Sequence, residues 1–387
     1  MTLDDEARDE LRGLEARHRL RTPRVVDGPH GPRITLDGAP VVNAASNDYL
    51  ALAGDRRLVR AATSALDETG AGAGASRLIT GNHRRHVALE QALADWLRYP
   101  AVRLFNSGYV ANLGVLTALV GAGDVVFSDE LNHASIIDGC RLSRAEIVVF
   151  PHRDLGALER ALASTAGRRR LVVSESLFSM DGDRADVEAL AALCRRHGAA
   201  LVLDEAHAVG AWGPEGRGIA AAAGVVPDIL VGTCGKALGS FGAFAATTAA
   251  ISELLWNRAR PFVFSTGLPP SVPASVQAAV EIVRGSEGEQ RRRTLDAHAT
   301  KLRERLRGIG GDPRSAIAPL LVGDDRRVMA VSAAVLERGV FVQGIRPPTV
   351  PEGTARLRIS LSAGHTDADI EAIASAVHAA IDGGRTR

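Results

Sequence analysis

Residues 232–240 read GTCGKALGS, and the lysine in this run is one of only two in the chain, Lys236 and Lys301, among 46 lysines and arginines. Arginine supplies positive charge almost everywhere else. A lysine can shed its proton and attack a carbonyl, whereas arginine stays protonated. Lys301 lies in the charged helical pattern LDAHATKLRERLRGIG, where solvation accounts for it. Lys236 has few polar neighbours and reads either as a turn residue after a strand or as an amine nucleophile. Two nucleotide-binding readings fail. Leu230 stands where a phosphate loop needs its first glycine, and Ala237 replaces the Ser or Thr that would hold magnesium. DEAH at 204–207 spells a helicase box, but no phosphate loop precedes it.

Other polar residues follow apolar runs. LVLDEAHAVG places Asp204 at the end of one run and His207 three residues later. A buried aspartate there costs several kcal/mol unless donors or a cation meet it. GTCGK places Thr233 beside Lys236, SDELNHASIIDG places His133 after another run, and SESLFSMDGD places Ser179 and Asp181 after a third. FNSGYVANLGVL passes through Gly108 and Tyr109 into a helical pattern, and a helix start offers free amides and a positive dipole end to an anion. Taken singly, Asp204 is explained as a turn cap, the histidines as satisfied core residues and NSGY as an ordinary helix start. Taken together, an amine nucleophile, an acid, flat ring donors and an anion-ready helix start describe a pocket for an aromatic aldehyde bearing a phosphate and a basic ring nitrogen. Pyridoxal 5′-phosphate is that molecule.

These residues need a scaffold that brings strand ends together. Short apolar runs at 102–106, 124–129, 146–150, 171–176, 200–205 and 228–233 alternate with helical patterns such as ALERALAS and DVEALAALCRRHG. Runs buried on both faces and alternating with amphipathic helices specify an α/β fold with a mostly parallel sheet flanked by helices. Ligands bind such sheets outside the carboxyl ends of the strands. After FVFSTGLPPSVP (262–273) the texture changes to two long helical patterns, then AIAPLLVG (316–323), GVFVQGI (339–345), ARLRISLS (355–362) and a last helix, which is the pattern of a smaller α+β domain. The expected division is an N-terminal helix and arm at 1–45, a large domain at 46–270 and a small C-terminal domain at 271–387.

Composition narrows the partners. A net charge of +1 on 387 residues gives no field for nucleic acid or an anionic membrane. Cys140, Cys194 and Cys234 have no metal-ligand spacing and suit a reducing compartment, so no metal is expected. MTLDDEARDELRGLEARHRL reads as a charged amphipathic helix and not as a signal peptide, and no run reaches membrane-spanning length. The expectation is a soluble, cytoplasmic protein.

SNDYLALA (46–53), GAGASRLITGNHRRHVALEQALADW (72–96), NSGYVAN, NHASIIDG, FSMDGD, LDEAHAVGAWGPEGRG, GTCGKALG, FVFSTGLPP and RLRISLSAGHT together resemble the α-oxoamine synthases of fold type I, over nearly the whole chain. Ala51 departs from the glycine usual after NDYL. GIRPPTVPEGTARLR (344–358) and RTPRVVDGPHGP (21–32) are similar to the biotin-pathway branch, which condenses L-alanine with a pimeloyl thioester of coenzyme A or a carrier protein. The resemblance implies a seven-stranded large domain and a homodimer with shared active sites. It implies that Lys236 carries the cofactor and serves as base, and that Asp204 pairs with the ring nitrogen. His207 and Ser179 would meet the ring oxygen and His133 the ring face. Gly108, Tyr109 and Thr233 would hold the phosphate, with Ser265 or Thr266 reaching it from the partner subunit. Arg358 and Asn47 would take the substrate carboxylate, and Arg21 and Thr349 would contact substrate. A glycine-using member of the family and a fold type I aminotransferase are the alternatives. A nucleotide-driven helicase or binding protein would rest on DEAH alone.

Overall fold

The structure is a computed structural model describing residues 1–383. It divides into two compact units, one of residues 1–49, 180–183 and 293–387 and one of residues 50–179 and 184–292. The last four positions of the expected 271–387 domain lie outside the described residues.

The second unit is built on seven strands: β1 (Ala101–Phe105), β2 (Val125–Asp129), β3 (Glu146–Phe150), β4 (Arg170–Glu175), β5 (Ala200–Asp204), β6 (Ile229–Thr233) and β7 (Ala243–Thr247). Their order across the sheet is β1-β7-β6-β5-β4-β2-β3. All neighbours are parallel except β7, which runs antiparallel to both β1 and β6. Six of these strands fall within a residue of the apolar runs read from the sequence. The hydrophobic pattern does not mark β7, because Ala-Phe-Ala-Ala-Thr lacks the branched apolar residues that signal a strand. Burial between two neighbours holds it instead, and every residue of β2, β6 and β7 is buried. Each fully buried Val, Leu or Phe in such strands stabilises the fold by about 1.5–3 kcal/mol. Helix Gly108–Leu119 packs Val115 and Leu116 into the core shared with Phe105, Val202 and Val231. Ser107 caps its start by accepting from the Val110 amide at 3.3 Å.

The first unit holds the helix Leu3–Ala16 and two small sheets. Strands Arg33–Leu36 and Ala39–Asn43 form a hairpin whose second strand pairs in parallel with Val340–Phe341. The other sheet runs β8 (Ile317–Gly323), β10 (Ala355–Ser360), β9 (Gln343–Ile345), all antiparallel. The units thus divide the chain differently from the three expected parts. Within the first unit, strand pairing joins Val42 and Asn43 to Val340 and Phe341. Helix Ser271–Arg284 falls in the second unit, where its buried face packs on helices Arg56–Thr69 and Arg84–Leu97. Among the described residues no helix is long and apolar enough to cross a membrane.

Candidate active site

Lys236 sits in a tight turn between β6 and its antiparallel neighbour β7. The Cys234 amide donates to the Gly242 carbonyl at 2.8 Å and the Ser240 amide to the Cys234 carbonyl at 2.9 Å, closing the turn. Gly239 has φ +61°, and a Cβ there would lie 2.5 Å from the backbone of Leu52 and Ala53. Only glycine fits both the left-handed conformation and the close approach. The Lys236 Nζ lies 2.8 Å from His207 Nε2. An N···N hydrogen bond this short needs a lone pair on one of the two nitrogens.

Asp204 ends β5 and is almost wholly buried. Its Oδ2 accepts from Asn112 Nδ2 at 2.7 Å and its Oδ1 from the Ala206 amide at 2.8 Å, which offsets the cost of burying it. Asn112 also donates to Ser135 Oγ at 2.9 Å, and Ser135 Oγ lies 2.8 Å from His133 Nδ1. One polar chain therefore links Asp204, Asn112, Ser135 and His133. Sequence reasoning missed Asn112 and Ser135. The available signal was helical spacing, since Asn112 follows Gly108 by one turn within NSGYVAN.

Two buried glutamates adjoin this chain. Burial pushes the Glu205 carboxyl up to about 7, against the amides of Ala220 and Ile219 that donate to it at 2.8 and 2.9 Å. Its task is to cap the short helix Ile219–Ala222. Burial, and next the charge of Asp204, push Glu175 up to about 8, opposed by Lys236 and by the backbone amides of His133 and Ser179.

The helix beginning at Gly108 leaves its first amides outside its own ladder, and Ser107 takes that of Val110. The amides of Gly108 and Tyr109 remain for an anion. The Tyr109 hydroxyl donates to Asp138, and its ring meets that of His133 edge-on at 6.4 Å. The Thr233 hydroxyl donates to the Gly242 carbonyl at 3.1 Å, so its proton must turn to serve a phosphate. Ser265 and Thr266 line a small pocket with Arg77, His86 and Asn106, and the Thr266 carbonyl accepts from Asn106 at 3.0 Å. Ser179 is buried just beyond β4.

The four expected substrate residues lie in the first unit. Arg358 on β10 donates to Asn47 Oδ1 at 3.1 Å and to Ser360 Oγ at 2.8 Å, both neutral groups. Its strand neighbour Arg356 instead pairs with Asp181. Arg21 donates to Thr349 Oγ1 at 3.4 Å, and the two line a cleft of about 410 Å³ with Arg346, Met329 and Phe341.

The second unit's donor set fits pyridoxal phosphate: an amine for its aldehyde, a buried acid held by two hydrogen-bond donors for its ring nitrogen, and helix amides for its phosphate.

The family model for class I and II aminotransferases matches residues 39–377. An 8-amino-7-oxononanoate synthase of Geobacter sulfurreducens is 49% identical over 374 residues, covering 95% of this chain and 96% of the relative. The chain belongs to the class I and II aminotransferase family, as an α-oxoamine synthase of fold type I. Among solved structures, a serine palmitoyltransferase from S. paucimobilis with pyridoxal phosphate and myriocin bound gives a TM-score of 0.93 at 31% identity, covering 99% of this chain and 98% of that one. The 8-amino-7-oxononanoate synthase of Francisella tularensis gives 0.76 at 26% identity, covering 89% of this chain and 99% of that one. Backbone likeness is thus greater to the first, and sequence identity to the Geobacter synthase exceeds both. Backbone is shared across a family while specificity resides in side chains, so identity is the better guide to substrate.

Proposed function

We propose that this chain joins L-alanine to a pimeloyl thioester, carried by coenzyme A or by a carrier protein. The products are 8-amino-7-oxononanoate for biotin biosynthesis, carbon dioxide and the free thiol. The observation that carries this is the 2.8 Å contact between Lys236 and His207 beside buried Asp204, in a chain 49% identical to an 8-amino-7-oxononanoate synthase. Pyridoxal phosphate supplies there an aldehyde for amine capture and a ring that accepts the electrons left at Cα.

The chain's residues do the rest. Lys236 Nζ receives the alanine Cα proton as general base, and a proton returns to that carbon after loss of carbon dioxide. Asp204, held by Asn112 and Ala206, would pair with the ring nitrogen and keep it protonated; each pKa unit by which it raises that nitrogen is worth about 1.4 kcal/mol. His133 would lie over the ring face, and His207 and Ser179 would meet the ring oxygen. Gly108, Tyr109 and Thr233 would hold the phosphate. Arg358 with Asn47 orients the alanine carboxylate, because a planar guanidinium matches it in two hydrogen bonds. Arg21 and Thr349 contact the acyl substrate. The working form is a homodimer in the cytoplasm, with Ser265 or Thr266 of one chain completing the phosphate site of the other.

The test is thiol release by cofactor-loaded protein, comparing L-alanine plus pimeloyl-CoA with glycine plus acetyl-CoA, glycine plus succinyl-CoA and serine plus palmitoyl-CoA. Preference for the first pair is expected. Preference for another pair would keep the family and overturn the substrate reading.

A further inference from the structure

Glu175 has no part in the chemistry set out above, yet it stands at the centre of the residues that perform it. It ends β4 in register with Asp204, the end of β5. Register partners on adjacent parallel strands project from the same face, with the strands about 4.8 Å apart. Two almost wholly buried carboxyls therefore adjoin at the carboxyl edge of the sheet. Two carboxylates so placed cannot both ionise cheaply, and one of them keeps a proton.

The hydrogen bonds indicate which. Both Asp204 oxygens accept from fixed donors, the Asn112 amide and the Ala206 N–H. Glu175 has backbone amides of His133 and Ser179 facing its carboxyl, while its Oε1 is buried with no hydrogen-bond partner in the protein. A carboxylic acid matches that arrangement, with one oxygen accepting from amides and the other carrying the proton.

The contacts of Glu175 also bridge two loops. Its own amide donates to Asn132 Oδ1 at 3.1 Å. Asn132 Nδ2 binds the Val173 carbonyl and Ser128 Oγ, each at 2.9 Å. The residue preceding His133 is thus fastened to β4 from both ends of its amide. Ser179 follows β4 by four residues, so a single side chain sees the loop that carries the ring-face histidine and the loop that carries the ring-oxygen serine.

We propose that Glu175 is a positioning residue, a neutral carboxylic acid that fixes the His133 and Ser179 loops at the sheet edge and spares Asp204 a second negative charge on the neighbouring strand. The charged and titratable groups that face it are Asp204 from β5, Lys236 from the turn after β6 with His207 against it, and His133 from the loop after β2. The elevation of Glu175 to about 8 agrees with this state. Ionisation above that pH places a second anion beside Asp204 and repels the arrangement. The proposal rests on the cofactor reading of this pocket.

The experiment uses holoenzyme of the wild type, Glu175→Gln and Glu175→Ala. It reads the visible circular dichroism of the bound cofactor, the cofactor dissociation constant and the pH profile of kcat from 6 to 9.5. Glu175→Gln is expected to rescue the dichroic band and activity at pH 7 and to move the basic limb of the profile upward from its wild-type position. Glu175→Ala is expected to alter the band and weaken cofactor binding about tenfold, the usual cost of losing a group that orients a binding residue. A Gln variant as impaired as the Ala variant would mean that the site needs the charge, and would overturn the proposal. So would an Ala variant indistinguishable from wild type, or a basic limb that stays in place in Glu175→Gln. If Glu175→Ala does not fold, the Gln profile decides. The spectroscopic readings require no acyl donor, so failure of alanine and pimeloyl-CoA to react would sink the substrate reading and leave this test standing.

Discussion

The carboxyl edge of the seven-stranded sheet and the small β8-β10-β9 sheet handle buried charge in opposite ways. At the large sheet, titratable side chains bond neutral amides and hydroxyls or one another: Asp204 with Asn112, Asn112 with Ser135, and Lys236 with His207. On the small sheet two arginines, Arg356 and Arg358, stand two residues apart on one strand and are both buried. Arg356 is matched by Asp181, whereas Arg358 bonds neutral Asn47 and Ser360. The first arrangement suits groups that must exchange protons, because neutral partners leave the proton free to move. The second suits a group that must stay charged and recognise a carboxylate, since arginine keeps its proton and presents a flat fork.

The largest effect is expected from erasing this contrast at Lys236. Lys236→Arg keeps a positive charge in the turn and removes the capacity to give up a proton. It should lower kcat by on the order of 10³-fold or more while the thermal midpoint stays near wild type. Appreciable turnover by this variant would mean that the lysine serves only as a charge, and the division between proton-exchanging and charge-holding regions would collapse.

The converse exchange tests the other region. Arg358→Lys keeps the charge on β10 and loses the planar fork. The KM for the amino acid should rise about tenfold to a hundredfold, equivalent to ~1.4–2.8 kcal/mol, with kcat changed much less. A KM that stays put while kcat falls would place Arg358 in the chemical step and not in carboxylate recognition.

The two regions also differed in how far the sequence exposed them. Asp204, His207, Thr233 and Lys236 each follow an apolar run, so strand signals carried their placement, and six of seven strands of the large sheet were legible for the same reason. β7 was not, because its Ala-rich residues are held by two neighbours and not by any propensity of their own. Asn112 and Ser135 escaped because their role is created by tertiary contact, Asn112 with Asp204 92 positions away and Ser135 with Asn112 23 positions away. On the small sheet the arginines of ARLRIS look alike in sequence. Asp181 and Asn47, brought from distant segments, distinguish Arg356 from Arg358. The pairing of Val42 with Val340 joins N- and C-terminal segments, and no local pattern announces it.

The smallest effect concerns the support beneath the lysine turn. Residues Leu50 to Ala53 form the loop on which Gly239 rests, and Arg291 donates to the carbonyls of Leu50 and Ala51 at 2.6 and 3.0 Å. Ala51 has φ +53°, the left-handed region that an L side chain enters at a cost. Gly239, against the same loop, adopts φ +61° without that cost. The alanine that departs from the glycine usual after NDYL therefore stores strain in a loop fastened by the half-buried Arg291 guanidinium. Ala51→Gly relieves the strain in the folded state and adds freedom to the unfolded chain, two terms of opposite sign. Relief should win, because the left-handed penalty of about 1–2 kcal/mol exceeds the glycine entropy cost of about 0.5–1 kcal/mol. The variant should melt about 1–3 °C higher with the same kcat. A lower midpoint would mean that the strain is already absorbed by the Arg291 contacts. A changed kcat would mean that the loop, through Gly239, sets the position of Lys236, and the proton-exchanging region would then depend on its backbone support as well as on its side-chain partners.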